Sequence, residues 1–358
     1  MLFRSVGDAE RLGVHGSTSY GFERILNDTN IFVNTVFLYH ITDLSHPMIP
    51  RTLQHLKRFA QQERVQAGSL IVTLLGDAIH PRGGTFWLGS LIQLLSDLSI
   101  NERLIRTAIY RLVKDGWLTS EPMGRRTNYS LTSTGLSRIE QASQRIYAMH
   151  SPTWDGHWRM LVLSPDMQTK DKETLRKALQ WQGFGVWQSQ MFIHPVADLN
   201  EVMASLHDEG HGHLLSHIWP LTSQTLPTKR SLAHHQVVTV AWDLKELAKR
   251  YRAFVQTYEP LLKEWDPSTN DEPSRTQHAF LLRLLLIHDH RRLWLRDPLL
   301  PADLLPDAWP GETARRVCHK LYLQLREASE IHLNQHLHLA DGNPTRSQKW
   351  FGQRFKKC

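Results

Sequence analysis

Residues 100–132, INERLIRTAIYRLVKDGWLTSEPMGRRTNYSLT, carry six Lys or Arg against three Asp or Glu, a net +3. Guanidinium groups in such density suit bidentate hydrogen bonding to phosphates or to guanine edges, which is recognition chemistry rather than bond-making. If residues 101–115 form a helix, Ile105, Ala108, Ile109 and Leu112 fall at i, i+3, i+4 and i+7, the stripe a core-facing helix needs. The opposite face then presents Arg103, Arg106, Thr107, Tyr110, Arg111 and Lys114. Asn101 is placed to cap this helix and Gly116 to stop it. GWLTSEP and RTNYSLT alternate as two strands around MGR, with Gly124 free to take a tight turn. That hairpin carries Arg125, Arg126, Thr127, Asn128 and Tyr129, suited to phosphates or the minor groove. A run of charge on one helix is as often a solvated face as a binding face. Two successive basic elements of one motif favour a reader of double-stranded DNA.

Other constellations offer catalysis less support. No Gly-rich phosphate loop, G-x-S-x-G elbow or H-E-x-x-H pair occurs. HDEGHGHLLSH places His207, His211, His213 and His217 within 11 residues, but its glycines break any single helical face. His332, His336 and His338 are no better arranged, so a polar loop is favoured over a zinc or nickel site, and no metal or cofactor is expected. Asp166, after a predicted strand, is one carboxylate beside a proline. It offers little for a two-metal phosphodiesterase, and the chain is read as a non-enzyme.

The elements that must position the basic segment follow from the whole chain. At 358 residues and 41% hydrophobic, it can bury more than one core. Its 42 basic and 35 acidic side chains give +7, which permits a polyanion partner. Two cysteines suggest neither a zinc site nor a disulfide framework, and point to the cytoplasm. The apolar run IFVNTVFLYHI (31–41) is too short to span a bilayer, so no membrane association is expected. Residues 1–66 read as a leader, poorly ordered in part; residues 1–47 lack periodicity, and Met48 is an alternative start.

Residues 67–150 give helix, strand, helix, helix, strand, strand, helix, the order of a winged helix-turn-helix. Residues 151–242 alternate strands at 157–164, 186–195, 214–221 and 237–242 with helices at 172–183 and 197–210, predicting a ferredoxin-like α+β domain. Residues 243–341 predict helices over 243–264, 276–295 and 313–339, and residues 342–358 a mobile basic tail. The fold class is multidomain α+β.

Several stretches together resemble the PaaX family, repressors of phenylacetate-degradation operons. They are PRGGTFWLGSLIQLL (81–95), IRTAIYRLVKDGWL (105–118), GRRTNYSLTSTG (124–135), RIY (145–147) with WDGHW (154–158), GFG (183–185), AWDLKELAKRY (241–251) and HDHRRLWLRDPLLPADLLPDAWPG (288–311). They span roughly residues 68–339; the long leader departs from the family pattern. The resemblance implies a winged-helix domain, a central Cas2-like ferredoxin fold and a helical C-terminal domain. It also implies a homodimer on a palindromic operator, released by phenylacetyl-CoA or a related aryl-CoA thioester; another acyl-CoA or a free aromatic acid is the alternative effector. For that effector HDHRRLWLRDP offers Arg291, Arg292 and Arg296 to phosphates, and Trp294, near His288 and His290. The competing reading makes these arginines ion-pair partners of Asp289, Asp297 and Asp303.

Overall fold

The computed structural model describes residues 50–61, 67–148, 151–224, 234–267, 273–295 and 297–355. The expectations for residues 1–47, and Arg296, lie outside them. The leader nevertheless contains a helix, α1 (Pro50–Ala60), which sequence reading missed. Thr52, Leu56 and Phe59, spaced at i, i+4 and i+7, turn inward, and Arg51 pairs with Glu264 at 2.8 Å.

Next come α2 (Ala67–Leu74), continued by a π-helical turn over Leu75–Ile79, then β1 (Thr85–Trp87), α3 (Leu88–Leu95) and α4 (Glu102–Lys114). The hairpin β2 (Leu118–Met123) and β3 (Arg126–Leu131) follows, then α5 (Ser133–Ile146). The three strands form one antiparallel sheet in the order β1–β3–β2. Gly135 sits where an added Cβ would lie 2.3 Å from the Trp117 carbonyl oxygen, so only glycine lets α5 approach the root of the hairpin this closely.

The central region runs β4 (His157–Leu163), α6 (Thr169–Trp181), β5 (Gly185–Gln188), β6 (Met191–His194), α7 (Leu199–Leu206) and β7 (Ile218–Gln224). Its sheet is antiparallel throughout, in the order β5–β6–β4–β7, the arrangement of a ferredoxin-like βαββαβ unit. The strand expected over 237–242 is instead part of a helix, α8 (His234–Ala241). Its valines suit a strand locally, but Val238 is fully buried among the C-terminal helices and tertiary packing overrides that preference.

Three long helices complete the chain: α9 (Leu244–Glu264), α10 (Pro273–Trp294) and α11 (Pro310–His336). Helix α10 has no single apolar face because it serves two cores, and its buried residues include Arg283, His288 and His290 among the leucines. Phe280, Leu281, Leu284 and Leu285 pack with α2, α3 and α4, while Ala279, Leu282, Leu286 and Ile287 pack with α9 and α11.

The tail expected to be mobile is anchored up to residue 355 by Thr345, Phe351, Arg354 and Phe355, which are buried, while most residues between them are exposed. After a turn at Gly342 (φ +90°), Gln348 N donates to the Pro81 carbonyl at 2.8 Å, and Phe351 and Phe355 are buried. Arg354 reaches Asp77 in the π-helical turn: its Nη1 donates to Oδ1 at 3.0 Å and to the Asp77 carbonyl at 2.9 Å, and its Nη2 to the Gly76 carbonyl at 2.7 Å. From α10, Arg283 Nε donates to Asp77 Oδ2 at 2.8 Å, and its Nη1 to Glu330 Oε1 at 2.7 Å. Tyr147 and Tyr322 hydroxyls donate to Asp77 Oδ1 at 2.7 and 3.0 Å. Burial pushes the Asp77 carboxyl up, but Arg283, Arg354 and the two phenols outweigh it and hold it below its ordinary value.

Two consequences can be measured. Replacing Arg354 by Ala leaves a buried carboxylate with one cation fewer and is expected to lower the unfolding free energy in urea by about 3 kcal/mol. Arg354→Lys should recover only part, because one ammonium nitrogen cannot span the acceptors that Nη1 and Nη2 reach separately. The second concerns acid. Burial, with Arg291 and Arg292 beside it, holds His288 down to about 3, and burial with Arg315 nearby holds His290 to about 3. His55, His194, His278 and His332 are likewise pushed by burial to about 4. The unfolded chain binds protons more readily at these sites, so stability falls as pH drops below about 6.5 and continues falling to the folded values. Urea midpoints should decline steadily from pH 7 to pH 5, and His290→Gln should reduce the slope.

Candidate nucleic-acid interface

Helix α4 begins where Asn101 Oδ1 accepts from Arg103 N at 2.7 Å. It ends at Asp115, before Gly116 at φ +72°. Glu102 in its first turn and Arg111 and Lys114 in its last complement the helix dipole. Ile105, Ala108, Ile109 and Leu112 are buried, so one face is fixed to the core. Arg103, Arg106, Thr107, Tyr110, Arg111 and Lys114 are all exposed, Tyr110 by 70%. Arg106 lies within 2.6 Å of Glu102 Oε1, an exposed i,i+4 pair of the kind worth under about 0.5 kcal/mol and easily exchanged for another anion. The Thr107 hydroxyl donates back to the Arg103 carbonyl at 2.8 Å, so its donor is satisfied within the helix.

The hairpin is rooted on the end of this helix: Trp117 N donates to the Leu112 carbonyl at 2.8 Å and Thr132 N to the Trp117 carbonyl at 3.1 Å. Met123 pairs with Arg126, leaving Gly124 (φ +59°) and exposed Arg125 at the tip. The other hairpin candidates differ from the uniform outward display that sequence suggested. Arg126 is exposed but committed: its Nη1 donates to the Ala340 carbonyl at 3.1 Å and its guanidinium lies 4.5 Å from the Trp87 ring centre. Thr127 is half-buried, and Tyr129 is half-buried and stacked on Phe86 at 5.9 Å. Asn128 turns inward, 6% exposed, where its Oδ1 accepts from Ala340 N at 2.7 Å. It is a strut between the hairpin and the C-terminal segment, because that backbone amide needs an acceptor in a dry place. No local signal at 128 could have announced a partner 212 positions away.

Of the four residues proposed from HDHRRLWLRDP, the three that are described, Arg291, Arg292 and Trp294, are not brought together as one cluster. Arg291 is half-buried: Nε donates to Thr73 Oγ1 at 3.1 Å, and Nη2 to the Ser69 carbonyl and Oγ at 3.0 and 2.7 Å. Arg292 is exposed. Trp294 is 2% exposed, donates its indole N–H to His290 Nε2 and lies under the Arg315 guanidinium at 4.6 Å. It is a core residue, and Arg296 is outside the described residues. The nearby acids serve tyrosines: Asp289 accepts from Tyr258 at 2.8 Å and Asp297 from Tyr251. Among the described residues, no three His, Cys, Asp or Glu side chains come together to hold a metal ion. His207 and His217 instead lie near Asp208 at 3.5 Å and Asp166 at 4.0 Å. No helix among the described residues is long and apolar enough to cross a membrane.

Three family models match the chain in order: PaaX-like protein over residues 66–135, the PaaX protein central Cas2-like domain over 151–230, and the PaaX-like protein C-terminal domain over 242–335. A similar relative is the transcriptional repressor PaaX of Escherichia coli, 38% identical over 266 residues, covering 74% of this chain and 82% of that protein. Among solved structures, an uncharacterized protein from Mycobacterium tuberculosis aligns over 74% of this chain and 98% of its own, at 22% identity and a TM-score of 0.48. With the whole ordered set of segments matched, and a relative this similar over this length, the chain belongs to the PaaX family.

Proposed function

We propose that the chain is a DNA-binding transcriptional repressor of an aromatic-acid catabolic operon. The observation that carries this reading is helix α4: one face locked into a core, the other presenting Arg103, Arg106, Arg111 and Lys114 beside Thr107 and Tyr110. Family membership supports it, as does the name of the Escherichia coli relative. In this reading residues 67–150 are a winged helix-turn-helix, α4 enters the major groove, and the β2–β3 hairpin is the wing that brings Arg125 to a phosphate. Residues 151–242 form the ferredoxin-like domain and 243–341 the helical one. Two copies pair so that their reading helices reach half-sites of a palindrome about 34–36 Å apart. The duplex is released when an aryl-CoA thioester such as phenylacetyl-CoA binds, because that ligand prefers the dimer geometry that misplaces the helices.

Fluorescence anisotropy on duplexes from the promoter next to the gene, with unrelated duplexes as controls, tests the reading. Arg106→Ala is expected to cost about 1–3 kcal/mol on the operator and little elsewhere. Lys114→Ala should weaken every duplex alike and reduce the salt slope by about one. Operator affinity unchanged in both variants removes α4 as the reader. Glu102→Gln, which releases Arg106 and deletes a negative charge, is expected to tighten binding to all DNA.

A further inference from the structure

Behind the proposed reading helix lies a cavity of about 1140 Å³, at or above the upper end of the ~300–1,000 Å³ range of small-molecule sites. It is bordered by α2, α4, α5 and the end of α10, with Trp181 and Glu209 approaching from the ferredoxin-like unit, and it is open to solvent on one side. Its apolar wall includes Val72, Leu104, Ala108, Ile139, Ala142 and Ile287. Four guanidinium groups also line it, Arg111, Arg138, Arg145 and Arg291, against three carboxylates, Asp115, Glu209 and Asp77, the last already paired with Arg283 and Arg354.

Two features mark it as a binding site. Trp181 is 63% exposed and Leu104 50% exposed, so two large apolar side chains stand open to solvent on the same cavity. Arg145 Nε is buried with no hydrogen-bond partner, although Nη2 of the same side chain donates to the Asp297 carbonyl at 3.0 Å. An apolar wall beside several guanidinium groups fits a large amphipathic anion: an aromatic or acyl body against the wall and phosphate or carboxylate oxygens on the arginines.

We infer that this cavity binds an aromatic acyl anion of coenzyme-thioester size, and that ligand and duplex exclude each other because both draw on helix α4. Thr107 and Arg111 line the cavity and also stand on the outward face offered to DNA. A bound anion therefore neutralises a cation that the duplex needs, and places its remaining negative charge close to an incoming phosphate backbone. This inference rests on the repressor reading above, locates its effector, and puts competition at α4 in place of a rearranged dimer as the cause of release. It shifts the weight from Arg292 and Trp294 to Arg291, Arg145, Arg138 and Arg111.

The experiment titrates the full chain with phenylacetyl-CoA, CoA and phenylacetate, following tryptophan fluorescence and calorimetry. The same proteins are then assayed on promoter DNA. Phenylacetyl-CoA is expected to bind at least tenfold more tightly than CoA or phenylacetate alone. Trp181→Ala, which removes an exposed wall, and Ser143→Phe, which fills the space, should each weaken thioester binding at least tenfold. Ligand-free DNA affinity should stay within twofold of native for both. If both variants fold by circular dichroism and bind the thioester as tightly as the native chain, the site is elsewhere, while the ligand-released repressor survives. A stable complex of protein, duplex and thioester overturns mutual exclusion. A thioester bound no better than CoA removes the aromatic assignment. If the native chain binds DNA but none of the three probes, the effector reading fails and takes this site with it.

Discussion

One buried carboxylate sets the relative positions of the parts described above. Asp77 sits in a π-helical turn at the end of α2 and accepts hydrogen bonds from Arg283 of α10, Arg354 of the C-terminal segment, Tyr147 and Tyr322. An ion pair taken out of water regains at best roughly what its desolvation costs, so such a cluster is weak evidence for stability. Its effect is on register. Arg283 and Arg354 fork to backbone carbonyls as well as to the carboxylate, so α2 cannot slide or rotate against α10 without leaving donors or acceptors unpaired in a dry interior. Helix α2 is also a wall of the cavity behind α4, so the geometry of the basic face is tied to this cluster.

The basic helix was legible because its signals are local and agree with one another. A cap at Asn101, a stop at Gly116 and an apolar stripe between them all specify the same element. The ferredoxin-like unit was legible from alternating periodicities, apart from α8, where consecutive β-branched residues suggest a strand until a distant core claims Val238. The anchored segment 342–355 was missed because it is held by a remote partner, Asp77 for Arg354, whereas α1 carries a local signal, the inward spacing of Thr52, Leu56 and Phe59, that was passed over inside the leader. The same holds within the candidate site. The outward residues of α4 could be assigned from helical spacing, whereas Asn128 and Trp294 depend on Ala340 and Arg315, which no local pattern records.

The division of labour follows from two-sided helices. Helix α10 fills two cores at once, so the region carrying the basic face and the C-terminal helices share a rigid axle rather than a flexible linker. Helix α4 is two-sided in another sense, with a core face and a solvent face separated by flanks that border an open cavity. A displacement of well under a turn at such a flank changes what the solvent face presents, because packed interiors move between discrete arrangements rather than deform smoothly.

The hairpin is backed by residues 338–340, through Arg126 and Asn128, and by Trp87 N donating to the His338 carbonyl at 3.0 Å. These backing residues, and the Arg354 that follows them, leave the ribosome after every other part of the surface they support. A nascent chain can thus have the complete sequence of its basic helix and hairpin while lacking the struts that hold them. In the growing chain these struts, with the second cation of the buried Asp77, are thus the last supports of the basic surface to arrive.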